Sequence, residues 1–204
     1  FEVRISRVAK SGLDVCDFDV VLDAVHENHD HDMEYLHGHG CDGGERGHAH
    51  GEHDAAHDHN HHRAHAHEHR GVAEISAIID AADMTESARA IARRIFEVIA
   101  EAEAKAHGTT VDQVHFHEVG AVDSIADVVA IAVALDSLQV DGVVVTELAE
   151  GKGTVRCQHG VIPVPVPAVV NIAAAHNIAL RVLDVQGELV TPTGAAVVAA
   201  VRTT

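Results

Sequence analysis

The chain has 204 residues and a formal charge of −18 at neutral pH, a balance that argues against nucleic acid and anionic membrane surfaces as partners, because phosphate groups are gripped by Lys and Arg. Hydrophobic residues make up 47% of the chain but aromatic residues only 2%, so the core must be built from Ala, Val, Ile and Leu. No apolar run approaches the ~18 residues of a membrane span, and no signal-peptide pattern opens the sequence.

Residues 1–25 alternate in strand fashion: Phe1, Val3 and Ile5, then Val15, Phe18, Val20 and Leu22, with Lys10-Ser11-Gly12 as the turn between them. This pattern predicts a β-hairpin that contributes to the core and runs into residue 26.

Residues 26–70 hold 15 of the 20 histidines, scattered among Asp, Glu, Gly and Ala. Such a composition cannot bury enough apolar surface to fold, so a long disordered insertion is expected. At a reference pKa near 6.5 about a quarter of the imidazoles are protonated at pH 7, and the rest are free to ligate metal. His48, His50, His57, His59, His61, His62, His65, His67 and His69 form overlapping ligand sets rather than one fixed tetrahedron. No Cys-x-x-Cys pair accompanies them, which argues against a structural zinc site. With geometry left free, affinity follows the Irving–Williams order, so the tract fits buffering or delivery of nickel, zinc or copper. A solvated linker with idle histidines and an expression tag are the plainer readings, and the internal, irregular placement argues against a tag. Ten acidic residues against three arginines give the tract only 7 of the 18 net negative charges, so the acidity is general.

About 160 residues remain to fold, enough for one core or two small ones. From residue 71 the period changes. Ile75, Ile78 and Ile79 mark a short helix, and Asp83-x-x-Glu86 resembles a capping box opening a longer one. The long helix turns Ile91, Ile95, Phe96, Ile99 and Ala102 to the core and stops at Gly108. Residues 114–117 read as a strand or extended turn. A helix follows from Asp123 to Leu138, with Ile125, Val128, Val129, Ala132 and Leu135 as its apolar series. Residues 143–146 read as a strand, Gly151-Lys152-Gly153 as a loop and residues 154–157 as a second strand. A helix after Pro167, a strand over 179–185 and a final helix entered by Thr191-Pro192-Thr193-Gly194 complete the pattern, with Pro192 at the first helical position. The fold class is α+β, a mixture of short strands and helices. The organisation is a hairpin over 1–25, a His-rich tract over 26–70 and an α+β core over 71–204.

Two constellations outside the tract carry chemistry. His115 and His117 share one face of an extended segment, and Asp123 and Asp127 share one face of the following helix. Together they can present a mixed nitrogen and oxygen site suited to nickel, iron, manganese or zinc. The plainer reading makes Asp123 a helix cap, Asp127 a dipole partner and the histidines ordinary hydrogen-bonding groups. Cys157 and His159, two apart on an extended run, can bind a soft metal or form an activated thiolate, although a buried inert cysteine is commoner. Lys152, between glycines, and the helix entry at Thr191, Thr193 and Gly194 together permit an anionic small molecule. Cys16, Cys41 and Cys157, odd in number and widely spaced, fit a reducing cytoplasmic compartment better than a disulfide framework. The start at Phe1 rather than Met, and the end at Thr204 just after an apolar helix-like run, suggest a fragment of something longer.

Three motifs in order carry a family resemblance: His115-Phe116-His117-Glu118-Val119-Gly120-Ala121-Val122-Asp123-Ser124-Ile125-x-Asp127, then Gly153-x-Val155-x-Cys157-x-His159-Gly160-x-Ile162-Pro163-Val164-Pro165-x-Pro167, then Glu188-Leu189-x-Thr191-Pro192-Thr193-Gly194-Ala195-Ala196. They resemble the lactate racemase nickel-insertion (LarC) family, in which a His-rich insertion ahead of the helices is also typical. The resemblance covers nearly all of the chain outside the tract. It implies a nickel chelatase of the lyase class that inserts Ni(II) into pyridinium-3,5-bisthiocarboxylic acid mononucleotide, with CTP hydrolysis and Mn(II) or Mg(II). The product, a nickel-pincer nucleotide, would pass to a recipient such as lactate racemase, and a homo-oligomer is compatible with this. Loss of the pyridinium C4 proton calls for a base near the metal, for which Glu118 is the candidate. The family's N-terminal Asp- and Gly-containing segment and its C-terminal domain are absent, so the chain resembles a middle portion and CTP contacts are not carried over. The alternative is a nickel or zinc storage protein without catalysis; a generic metal-dependent hydrolase explains the carboxylates but not the tract.

Overall fold

A computed structural model describes residues 2–21, 70–116, 120 and 122–203. Residues 26–69 of the predicted insertion, His117 and Glu118 lie outside the described residues, while Arg70, expected at the end of the insertion, begins a strand. The N-terminal hairpin is present: β1 (Glu2–Lys10) pairs antiparallel with β2 (Leu13–Val21), and the turn is made at Ser11 and Gly12. Val3, Ile5, Leu13 and Phe18 are exposed, and Val20 alone in the hairpin is buried.

The next pairing joins distant stretches of sequence. β3 (Arg70–Gly71) runs antiparallel to β4 (His115–Phe116), placing Gly71 opposite His115. Between them lie α1 (Val72–Ala81) and α2 (Glu86–His107). The side chain of Glu74 accepts the Gly71 N–H at 2.8 Å, meeting one of the donors that a helix start leaves open. The cap expected at Asp83 is instead made by Thr85, whose Oγ1 accepts from Ala88 N at 3.1 Å. Thr85 has the extended backbone a cap needs and stands three residues before its donor. Gly108 ends α2 with φ +65°, the left-handed conformation that a Cβ disfavours.

α2 organises the core because its apolar stripe meets several partners at once. It packs on α1, α3 (Val122–Leu138), α4 (Pro167–Ala175) and α5 (Pro192–Val201). The expected core residues Ile95, Phe96, Ile99 and Ala102 are buried, and Ile91 is partly so. Phe96 meets Phe116 edge to face, with ring centres 6.2 Å apart. The Arg89 guanidinium reaches from α2 to four carbonyls at the end of α1, those of Ile79, Asp80, Ala82 and Met84.

Two strand expectations need correction. Residues 143–146 form no strand; Val143 bonds instead to Thr203 near the last residues of the chain. Gly151-Lys152-Gly153 is not a loop but the middle of β5 (Leu148–Cys157), which lies between β6 (Gly160–Val164) and β7 (Leu180–Gln186), antiparallel to the first and parallel to the second. The glycines suit a strand here because neighbouring backbone comes too close for side chains: a Cβ on Gly151 would stand 1.9 Å from the Gly187 carbonyl oxygen. The ladder to β7 shifts register between Glu150 and Lys152, as an irregular glycine stretch allows. No helix among the described residues is long and apolar enough to cross a membrane.

Candidate functional site

A cavity of about 1150 Å³ opens where α2, α3, β4, the β5–β6 turn and the starts of α4 and α5 meet. From α3 it takes Ser124, Asp127, Ile131 and Ala134, a spacing that keeps them on one helix face. β4 supplies His115, while its neighbour Phe116 is 2% exposed and anchors the strand in the core. Phe116 also borders the cavity, so the strand contributes both a buried ring and an exposed imidazole to its wall. Cys157 and His159 enter from the β5–β6 turn, and Thr191, Thr193 and Gly194 from the start of α5. Much of the remaining wall is apolar, including Ala130, Val155, Ile162 and Val197.

The structure thus brings His115, Asp127, Cys157, His159, Thr191, Thr193 and Gly194 to one cavity, although they lie far apart in sequence. Asp123 and Lys152 do not line it. Asp123 accepts from Ser124 N at 3.0 Å within the first turn of α3. The Lys152 ammonium, on β5, pairs with Asp184 at 2.5 Å. His117, Glu118 and the tract histidines lie outside the described residues. Among the described residues no three His, Cys, Asp or Glu side chains already stand around one point.

Burial first, and then the nearby charge of Asp123, holds the Asp127 carboxyl above its ordinary value of 3.8. One face of α3 therefore carries two acids, which repel when both are ionised and can be relieved by a proton or a cation. At α5, Thr191 Oγ1 accepts the Gly194 N–H at 3.1 Å and Pro192 occupies the first turn. The start of α5 faces the cavity with the positive end of a helix.

Two wall residues carry no signal in the sequence reading. Glu103 and His107, on the last turns of α2, line the same cavity. His107 Nε2 lies 3.5 Å from Glu103 Oε2, and its ring lies 4.9 Å from that of His159. Their i, i+4 spacing was visible, but an acid and a base on a helix end read equally well as a surface pair. Glu150 was equally silent. It is fully buried beneath the approach to α5, where Oε1 accepts from Gly151, Leu189 and Val190.

A family profile described as nickel insertion protein matches residues 1–204. A protein of Alkaliphilus metalliredigens named pyridinium-3,5-bisthiocarboxylic acid mononucleotide nickel insertion protein is 48% identical over 204 residues, covering 100% of this chain and 43% of that protein. The protein of the same name from Clostridium acetobutylicum is 42% identical, covering 98% and 45%. That of Geobacillus kaustophilus is 36% identical, covering 97% and 40%. This chain therefore spans less than half the length of these relatives. No solved structure matches it. Three ordered motifs, a shared cavity that collects residues from all three, and a match along the whole chain lead to one conclusion: the chain belongs to the nickel insertion protein family.

Proposed function

We propose that the cavity receives pyridinium-3,5-bisthiocarboxylic acid mononucleotide and that Ni(II) is inserted into it there. The single observation that carries this reading is the convergence of nitrogen, oxygen and sulfur donors with a helix start on one cavity of about 1150 Å³. The relatives' names supply the substrate. A volume at the upper end of small-ligand pockets suits a mononucleotide, and the apolar wall suits a flat pyridinium ring.

His115, His117 and Asp127 present the ion, and Asp123, one turn before Asp127 and outside the cavity lining, adds negative charge beside it. Neutral imidazole and carboxylate suit nickel without fixing it so firmly that transfer stops. Cys157 and His159 stand near the thiocarboxylates, and Thr191, Thr193 and Gly194 receive the phosphate at the start of α5. Lys152 lies outside the cavity and pairs with Asp184, so it takes no part in holding the phosphate. Insertion replaces the C4–H bond by a carbon–nickel bond and adds two sulfur–nickel bonds; the proton goes to a base, for which Glu118 is our choice, and nickel remains divalent. The tract over 26–70 collects nickel and raises its supply.

The reaction is of the lyase type, takes place in the cytoplasm and feeds a lactate racemase-like enzyme, with a homo-oligomer as the working form. CTP, with Mn(II) or Mg(II), drives the full-length reaction. Among the described residues no set of carboxylates gathers that would hold such a cation.

The test is nickel incorporation into the mononucleotide, followed by mass spectrometry, with and without residues 26–70 and with CTP present. Incorporation that survives deletion at saturating nickel supports chemistry in the cavity and supply by the tract. Binding of nickel only through the tract, with no incorporation by the folded protein, favours the storage reading.

A further inference from the structure

We infer that Cys157, His159 and His107 form a thiolate–bis-imidazole nickel site on the cavity wall, with Glu103 orienting His107. This rests on the insertion reading for its biological use, but not for its geometry. Cys157 Sγ and His159 Nδ1 are 3.7 Å apart. Donors that share one tetrahedral first-row ion stand roughly 3.6 Å apart, given metal–sulfur and metal–nitrogen bonds of about 2.3 and 2.0 Å. The pair thus already has the bite of a single ion.

The third donor comes from the other side of the wall. The His107 ring, at the last residue of α2, is tilted 46° to that of His159 with centres 4.9 Å apart. His107 Nε2 faces the Glu103 carboxylate at 3.5 Å. A ligating histidine commonly donates its second ring N–H to a carboxylate, which fixes the tautomer and makes the other nitrogen the better ligand. Here that arrangement leaves Nδ1 of His107 as the metal donor. The three donors do not yet surround one point. The His107 side chain is 37% exposed, so it turns about its own side-chain bonds without disturbing packed core.

One thiolate and two imidazoles select borderline-soft ions such as nickel, cobalt and zinc over magnesium or calcium. Binding removes the Cys157 thiol proton to solvent, so affinity rises with pH until the thiol is fully ionised. The fourth position faces the cavity, where an incoming thiocarboxylate can displace a protein ligand from the ion. On this account Cys157, His159 and His107 hold nickel on the wall as it enters, and His115 and Asp127 across the cavity receive it as the sulfur atoms of the substrate bind.

The test uses the full chain titrated with Co(II), read by the near-ultraviolet thiolate-to-cobalt charge-transfer absorption that histidine ligands alone do not give. The band is expected in the wild type and absent in C157S. H107A and H159A should weaken the cobalt midpoint at least tenfold, and E103Q by about 10- to 100-fold. H176A, outside the cavity, should leave it unchanged. A band that persists in C157S comes from Cys16 or Cys41 and overturns the site, as does a wild-type midpoint in H107A. Circular dichroism of each variant separates loss of ligand from loss of fold; if H107A unfolds, H107Q supplies the same comparison. A normal cobalt site without nickel incorporation would overturn the insertion reading and leave this site standing.

Discussion

Leu189 donates its backbone N–H to Oε1 of Glu150 at 2.7 Å, so a carboxylate with no exposed surface fastens the segment that leads into α5. Gly151 and Val190 donate to the same oxygen at 2.7 and 3.2 Å, while Oε2 is buried with no partner among the described residues. E150A leaves three N–H groups without their acceptor, at about 1–3 kcal/mol for each that stays buried and unmet. We expect a loss of about 3 kcal/mol or more by urea unfolding. E150Q keeps an oxygen in place and exchanges charge-assisted bonds for neutral ones, so its loss is smaller. Equal losses would show that the three bonds contribute little.

Gly151 tests the same junction from the backbone. A Cβ there would meet the Gly187 carbonyl oxygen at 1.9 Å and that of Val185 at 3.0 Å. Neither is the end of a flexible side chain, so β5 and β7 must separate. G151A is expected to cost about 1–3 kcal/mol and, if Thr191 and Thr193 hold the phosphate as proposed, to weaken binding of the mononucleotide measured by calorimetry. Wild-type stability would mean that the register shift beside Glu150 absorbs the methyl group.

Asp127 gives a pH signature. Its folded pKa is raised, by burial first and by Asp123 second, so the folded state holds the proton more tightly than the unfolded chain. The stabilisation is therefore complete below the ordinary value of 3.8 and is lost as pH rises through the raised value. D127N removes this dependence. Without added metal, the urea midpoint of D127N should gain on that of the wild type as pH rises above about 4 and then stay level. A gap that widens toward acid pH would reverse the sign and contradict the account.

The adjacency of His115 and Phe116 on β4 links core and site. Phe116 is 2% exposed and meets Phe96, so F116A should cost about 3–5 kcal/mol. Because its neighbour His115 lines the cavity, F116A should also weaken nickel binding in a tract-deleted protein, whereas F116L should retain most of both. Undiminished nickel affinity in a folded F116A protein would separate His115 from the metal.

The helices were legible because each carries its own pattern. Ile95, Phe96 and Ile99 repeat at helical spacing, and Pro192 after Thr191 marks a helix start whether or not anything packs on it. The sheet was less so. Gly151-Lys152-Gly153 looks like a loop until Gly187 is brought against it, and residues 143–146 look like a strand although Val143 finds its partner in Thr203. Neither contact can be read from local sequence. For the site, His115, Asp127, Cys157 and His159 announced themselves by residue type and spacing. His107 became a candidate only once the end of α2 was seen beside His159, and Glu150 only once its surroundings proved to be backbone donors rather than water.

The most direct measurement of the central claim is single-turnover nickel incorporation into pyridinium-3,5-bisthiocarboxylic acid mononucleotide, read by mass spectrometry with CTP present, for the wild type and for the H115A/H117A double variant. The account predicts incorporation by the wild type and none by the variant, with circular dichroism showing an intact fold. Incorporation by the variant at the wild-type rate would remove these histidines from the mechanism and contradict the assignment of the cavity as the place of insertion.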